Sequence, residues 1–364
     1  MRFRFLYSFL ICLLVHGLQA QVPEYSQQIN RSFKVNNTVT IEVSNKYGRI
    51  QVIPWHSDSV KFTIDLRIRA KDKQKLEKMK QNVDFEFTSG QSYLVAKTSF
   101  GENSSDVFRD IVDIAGSYLS SSNSVNINYT IMVPSRATMK IENKFGDVYM
   151  DDYEGSLNLV LSYGDMKANR LNGHTNIKLT SGDGEINYIR DGQVFVSYAN
   201  MHIREASKLV TQTRSSVVTI DKTASLKINS RRDKLFLNEV GSLSGESYFS
   251  NINLVTLAKD VNLSCKYGNI NIDAIQRSFS LINLNSELTH LTLAFEKPAG
   301  FDFELTHHQT VAFVYPKASS KLTTKVSNPE EKMFITSGKI GTAASDSHVI
   351  IKAPRKCSIT VLQK

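Results

Sequence analysis

The sequence predicts an all-β fold of the solenoid (β-helix) type, on three observations. A short phrase recurs at a near-constant interval, apolar residues alternate on both sides of it, and its corner is made of small residues. The clearest copies are K-Y-G-R-I at Lys46 to Ile50, K-F-G-D-V at Lys144 to Val148, S-Y-G-D-M at Ser162 to Met166 and K-Y-G-N-I at Lys266 to Ile270. Framed on the corner residue, the series reads Tyr47, Phe145, Tyr163, Ser181, Tyr198, Ser215, Arg232, Phe249 and Tyr267. From Phe145 the steps are 18, 18, 17, 17, 17, 17 and 18 residues, so each coil takes about 17–18. Gly48, Gly146, Gly164, Gly182 and Gly268 follow five of the corners; Ala199, Ser216, Asp233 and Ser250 follow the others. That position is expected to need φ > 0 or little side-chain bulk.

Three further columns carry the inward face. Five residues past the corner stand Val52, Met150, Ala168, Ile186, Ile203, Ile220, Leu237, Leu254 and Ile272, all apolar. Three past it the series runs from Ile50 to Ile270, and four before it from Val43 to Leu263. Leu159, Ile177, Val194 and Ile228 should therefore point inward in register, with Lys167 and Lys178 outward. One coil cannot bury such a face alone; stacked coils can, with about 1.5–3 kcal/mol for each aliphatic side chain buried. Turn signals at this density also suit a β-sandwich, but the fixed period favours a solenoid.

From the N-terminus, Arg2 and Arg4 precede an apolar run from Phe5 to Val15, and Leu18-Gln19-Ala20 offers cleavage after Ala20. Residues 1–20 read as a secretory signal peptide, the run being too short to span a bilayer. Removing its two arginines lowers the net charge from +9 to +7. The remaining basic residues are diffuse, apart from Lys71 to Lys80. This argues against nucleic acid and is compatible with weak attraction to anionic glycans or lipid head groups. Residues 21–40 read as a loose lead-in and 41–364 as the solenoid domain, with a helical insert at about 70–120.

Within that insert, Ala70 to Asn82 reads as a surface helix on the spacing of Leu76, Met79 and Val83. Val83 to Phe87 and Tyr93 to Thr98 read as a hairpin turning at Ser89-Gly90. A second helix is expected between Ser105 and Leu119, as a cap on the open first coil. Val125 to Val133 is a strand ended by Pro134, and continuous coils run from Thr138 to about Leu293. Beyond them, Phe301 to Leu305 and Val311 to Val314 alternate, and Met333 to Ile340 resembles one more corner. Val349 to Lys352 and Ser358 to Leu362 read as closing strands.

No catalytic constellation is visible, so no catalytic, cofactor-binding or metal residue is assigned and no cofactor is expected. Beyond residue 20, the histidines His56, His174, His202, His290, His307, His308 and His348 lack metal-ligand spacing. Phosphate-loop, dinucleotide and G-x-S-x-G signatures are absent. Asp147, Asp151, Asp152, Asp165 and Asp183 keep a polysaccharide lyase or hydrolase in view as the alternative, but near-minimal coils leave no loops to wall a groove. Asp147, Asp165 and Asp183 occupy one outward position of consecutive coils. Each either supports a turn or contributes to a weak divalent-cation site. Cys265 reads as a buried thiol, although an oxidising compartment also allows a disulfide to Cys357.

The corners, together with P-S-R-A-T-M-K-I-E-N-K-F-G-D-V from Pro134 to Val148, resemble the bacterial adhesin-like β-strand-repeat proteins. These are related to the auto-transporter adhesin head, or GIN-domain, group of Bacteroidetes. The resemblance spans about Thr38 to Leu362. It implies an exported, single-stranded right-handed β-solenoid of the cell envelope, periplasmic, outer-membrane-associated or secreted, sometimes encoded near sigma/anti-sigma regulators. Its expected role is a non-enzymatic binding or structural scaffold, whose partner is a cell-surface glycan or another envelope component. The resemblance transfers no site residues.

Overall fold

A computed structural model describes residues 22–101, 123–343 and 346–364. The expected signal peptide, residues 1–20, and the helix expected between Ser105 and Leu119 fall outside the described residues. Those described form 23 β-strands and one α-helix.

The repeat frame is the architecture. Coils pair in parallel, residue for residue, and one inward column runs Val43↔Ile141↔Leu159↔Ile177↔Val194↔Thr211↔Ile228. It continues through Gly245, Leu263 and Leu284 to Ile351. A second column, past the corner, runs Ile50↔Val148↔Met166↔Gly184↔Met201↔Val218↔Leu235↔Ile252. The columns are buried, whereas Lys167 and Lys178 face solvent. Strand alternation thus turns the sequence period into one continuous core.

The frame also reaches one corner further than its spacing suggests. Leu288 has φ 53° and follows Tyr267 by 21 residues. The extra residues are absorbed in the turn at 276–280, where Gln276 and Ser280 bond to Leu257 and Lys259 of the coil below.

Two polar devices close the arcs from inside. Asn143 Nδ2 donates to the carbonyl oxygens of Gly48 and Gly146, at 2.9 and 2.8 Å. Five coils on, Asp233 replaces the corner glycine and is only 2% exposed. Its carboxylate accepts from the Thr213 and Ser230 hydroxyls, at 2.6 and 2.7 Å, and from the backbone N–H groups of Ser216 and Arg231, at 2.8 and 2.7 Å. Asp233→Ala strands four donors, three of them buried. It should cost about 3 kcal/mol, read as a lowered denaturation midpoint, with Asp233→Asn milder.

The helix is Lys73–Gln81, capped where the Asp72 side chain accepts from the Lys75 N–H at 2.7 Å, with Leu76 and Met79 buried. The hairpin of Val83–Ser89 and Tyr93–Phe100 is antiparallel as expected. Its second strand extends the Thr40–Lys46 edge in parallel, Ile41 opposite Leu94. Glu24–Lys34 corrects the loose lead-in, because it is a strand paired antiparallel with Ser59–Arg69 along its whole length. Only Tyr25, Ile29 and Phe33 face inward, one residue in four, which hides the strand period. Ser59–Arg69 pairs in turn with Ser124–Pro134, which lies parallel to Ile50–Trp55. Among the described residues, then, strands seal the first coil, with Phe33, Phe62 and Phe87 in mutual contact at 5.5–6.1 Å.

The C-terminal end departs from chain order. His348–Ala353 lies between Leu281–Phe295 and Gly300–His308, parallel to both. Ser358–Gln363 likewise lies between Leu281–Phe295 and Ala312–Val314. The closing strands are therefore a coil inserted beneath the one that precedes it in sequence. Met333–Gly341 is not a corner: it is the middle strand of an antiparallel sheet between Gly300–His308 and Ser320–Asn328. Gly338 has φ +148° there, and a Cβ would stand 2.0 Å from the Lys321 carbonyl oxygen, so both dihedral and space call for glycine.

Candidate functional site: the corner stripe

All nine corner residues have φ between 51° and 65°. The left-handed conformation thus belongs to the corner residue itself and not to the glycine after it, so of the two requirements expected at that position it is little side-chain bulk that applies. The glycine answers a different constraint. A Cβ on Gly164 would lie 2.2 Å from the Gly146 carbonyl oxygen, and one on Gly146 would lie 2.1 Å from that of Gly48. Adjacent coils touch backbone to backbone at these corners.

That contact explains the aspartate after the glycine. The Asp165 N–H donates to Asp147 Oδ1 and the Asp183 N–H to Asp165 Oδ1, both at 2.9 Å. From the next coil on, the equivalent N–H reaches the previous coil's carbonyl directly, as Asn200 to Gly182, Val217 to Ala199 and Lys234 to Ser216. Where Gly-Asp stands in both neighbouring coils, the lower carboxylate replaces that carbonyl as acceptor. The ladder ends where Asn200 Nδ2 donates to Asp183 Oδ1 at 2.8 Å. Burial and the Asp147 carboxylate raise the Tyr149 phenol above its ordinary pKa, keeping it a donor to Asp147 Oδ2 at 3.2 Å.

These bonds occupy both oxygens of Asp147 and one each of Asp165 and Asp183, and no cluster of three metal-ligating side chains occurs among the described residues. Millimolar calcium should accordingly leave the melting temperature unchanged. Asp165→Asn, which keeps an acceptor oxygen, should melt near the native chain, while Asp165→Ala should lose about 1 kcal/mol. A calcium-induced rise in melting temperature abolished by Asp165→Asn would contradict this.

Left-handed φ costs a non-glycine residue about 1–2 kcal/mol, and stacking outside the corner offsets part of it. Tyr47 and Phe145 stack at 5.6 Å and 8°, Phe145 and Tyr163 at 5.1 Å and 18°, Phe249 and Tyr267 at 4.5 Å and 5°. Lys46 and Lys144 lie alongside, 4.7 Å from the Tyr47 centroid and 5.0 Å from that of Phe145. Tyr163, Tyr198 and Phe249 are each more than half exposed. A groove of about 890 Å³ follows the stripe from Tyr47 past Phe145 and Tyr163 to Gly182. A second, of about 420 Å³, continues from Gly182 past Tyr198 to Val217. The corner residues were visible in sequence as spacers; their exposure, and the cations beside them, follow only from stacking.

The Toastrack DUF4097 profile matches residues 20–234, more than half of the 364. The chain belongs to the Toastrack DUF4097 family. The resemblance to adhesin-like β-strand-repeat proteins agrees with that membership. Among solved structures, this Toastrack chain is similar to a candidate cell-adhesion protein from Clostridium sporogenes at 9% identity and TM-score 0.21, covering 93% of this chain and 100% of that one. A candidate adhesin from Parabacteroides distasonis matches at 13% identity and TM-score 0.33, covering 73% and 96%. Another from Bacteroides fragilis matches at 11% identity and TM-score 0.21, covering 92% and 97%. No curated protein matches the sequence.

The remaining sequence candidates lie apart from the stripe. Cys265 and Cys357 are both buried free thiols. Burial pushes the Cys265 pKa up to about 12, and the Cys357 thiol donates to the Ser286 carbonyl at 3.3 Å. His307 and His308 turn to separate partners, Thr336 and Thr310. No helix among the described residues is long and apolar enough to cross a membrane.

Proposed function

We propose that this chain is an exported, non-enzymatic scaffold of the cell envelope, a right-handed single-chain solenoid that presents the corner stripe as an adhesin-like recognition surface. The observation that carries the reading is the set of exposed aromatic rings held in line by the coil register, with two grooves that meet at Gly182 running beside those from Tyr47 to Tyr198. Partially exposed aromatic faces beside fixed polar groups are the equipment of a binding surface. The groove's carboxylates are engaged in holding coils together, which speaks against acid–base work by a paired set. The adhesin names carried by similar structures point the same way, and the leader at residues 1–20 fits delivery to the envelope.

A glycan array run alongside a reducing-end and unsaturated-product assay tests the proposal. Expected are retained spots that disappear in a Tyr163→Ala, Tyr198→Ala, Tyr267→Ala triple variant, with no product formed. Product release from any polysaccharide would overturn the non-enzymatic reading. Intact mass of the exported chain should show Gln21 as its first residue; retention of residues 1–20 would overturn export by cleavage.

A further inference from the structure

The aromatic ladder is interrupted at Ser181, Ser215 and Arg232, and of these only Ser181 has a ring on the coil to either side. Tyr163 and Tyr198 stand on coils that flank the coil of Ser181, and all three occupy the same corner position with φ of 57°, 53° and 56°. Backbone bonds fix their order: Tyr163 N–H donates to Thr180 O at 2.9 Å, and Ser181 N–H to Ser197 O at 3.1 Å. On its far side Tyr163 is stacked on Phe145 at 5.1 Å. Tyr198 has Arg214, from the coil beyond, 5.9 Å from its centroid. Toward Ser181 neither tyrosine has an aromatic or cationic partner among the described residues, and the rings are 52% and 57% exposed.

Two coil rises separate them by about 10 Å, which leaves about 5 Å from each ring to a ligand midway, within aromatic contact range. The slot's walls are apolar faces and its floor is polar. Asp165 and Gly182 line one groove, Asp183 and Asn200 the next, and the two grooves meet at Gly182. Asp165 and Asp183 each use Oδ1 between coils, which leaves Oδ2 as an acceptor. A flat ring with C–H faces and a rim of hydroxyl donors satisfies both features at once. An aromatic side chain would fill the walls and leave the acceptors unused.

We infer that the slot between Tyr163 and Tyr198, over Ser181, is a binding site for one uncharged pyranose unit of a glycan. This rests on the reading of the stripe as a recognition surface and adds its ligand class. Two carboxylates at the floor disfavour uronic acids.

Calorimetry of the purified chain with chitohexaose, mannohexaose and cellohexaose, with oligogalacturonate as the acidic probe, tests this. At least one neutral hexasaccharide should bind, and oligogalacturonate at least tenfold more weakly. Ser181→Tyr supplies the missing rung at a φ its neighbours already accept. It should abolish binding while leaving the melting temperature unchanged. Tyr163→Ala and Tyr198→Ala should each weaken binding several-fold, and Tyr267→Ala should not. No binding of any neutral probe at millimolar concentration, or tighter binding of oligogalacturonate, overturns the ligand class. Binding that survives Ser181→Tyr but is lost in Tyr267→Ala overturns the slot and leaves the stripe reading standing. Binding indifferent to all these variants overturns both.

Discussion

Deleting residues 348–364 should unfold the whole C-terminal end of the solenoid, not fray its last turn. His348–Ala353 and Ser358–Gln363 are interior strands, each hydrogen-bonded on both sides. Val349, Ile351, Ile359 and Val361 are almost fully buried. At about 1.5–3 kcal/mol per aliphatic side chain, those four alone contribute several kcal/mol. Their removal also leaves Phe303 and Leu305 without the coil they pack on. Hydrogen exchange should show Gly300–Gly341 becoming unprotected in the truncated chain, while the coils before Phe249 stay protected, as nearest-neighbour stacking requires. Protection of Gly300–His308 surviving the truncation would contradict the inserted position.

Leu159→Asp should be nearly as severe. Leu159 has no exposed surface and lies between Ile141 and Ile177 in register. An unpaired carboxylate there finds neither water nor partner, and the expected loss exceeds about 4 kcal/mol. Lys167→Asp, on a residue 62% exposed and 3.6 Å from Glu185, exchanges a surface ion pair for a surface repulsion and should cost less than about 1 kcal/mol. Thermal melts of the two variants read the difference. Equal melting temperatures would mean that the inward and outward faces are exchanged by one residue.

Legibility followed the physics of each feature. The repeat was readable because stacking asks the same thing of every coil, so Val52 to Ile272 stay apolar whatever surrounds them. The glycine was visible with two candidate reasons, a positive φ or little side-chain bulk. A single coil does not choose between them; the carbonyl of the coil below does, in favour of small bulk. Glu24–Lys34 escaped because an outer strand buries only one residue in four. Leu288 escaped because three extra residues broke the period. The inserted C-terminal coil could not be inferred from spacing, since stack order and chain order differ there. The slot over Ser181 was present as an irregularity in the corner series, but its meaning depends on the rings to either side facing along the stack.

Everything proposed for the surface depends on one continuous in-register stack, and distances between spin labels test that most directly. Glu142, Val160, Lys178, Phe195, Gln212, Asn229 and Glu246 form one outward column. Labels placed at Glu142 paired with Gln212, Asn229 or Glu246 span four, five and six coils. At ~4.8 Å per coil the backbone separations should be about 19, 24 and 29 Å. Equal increments along that series are the predicted result. A series that flattens or reverses would contradict the stack, and with it the stripe.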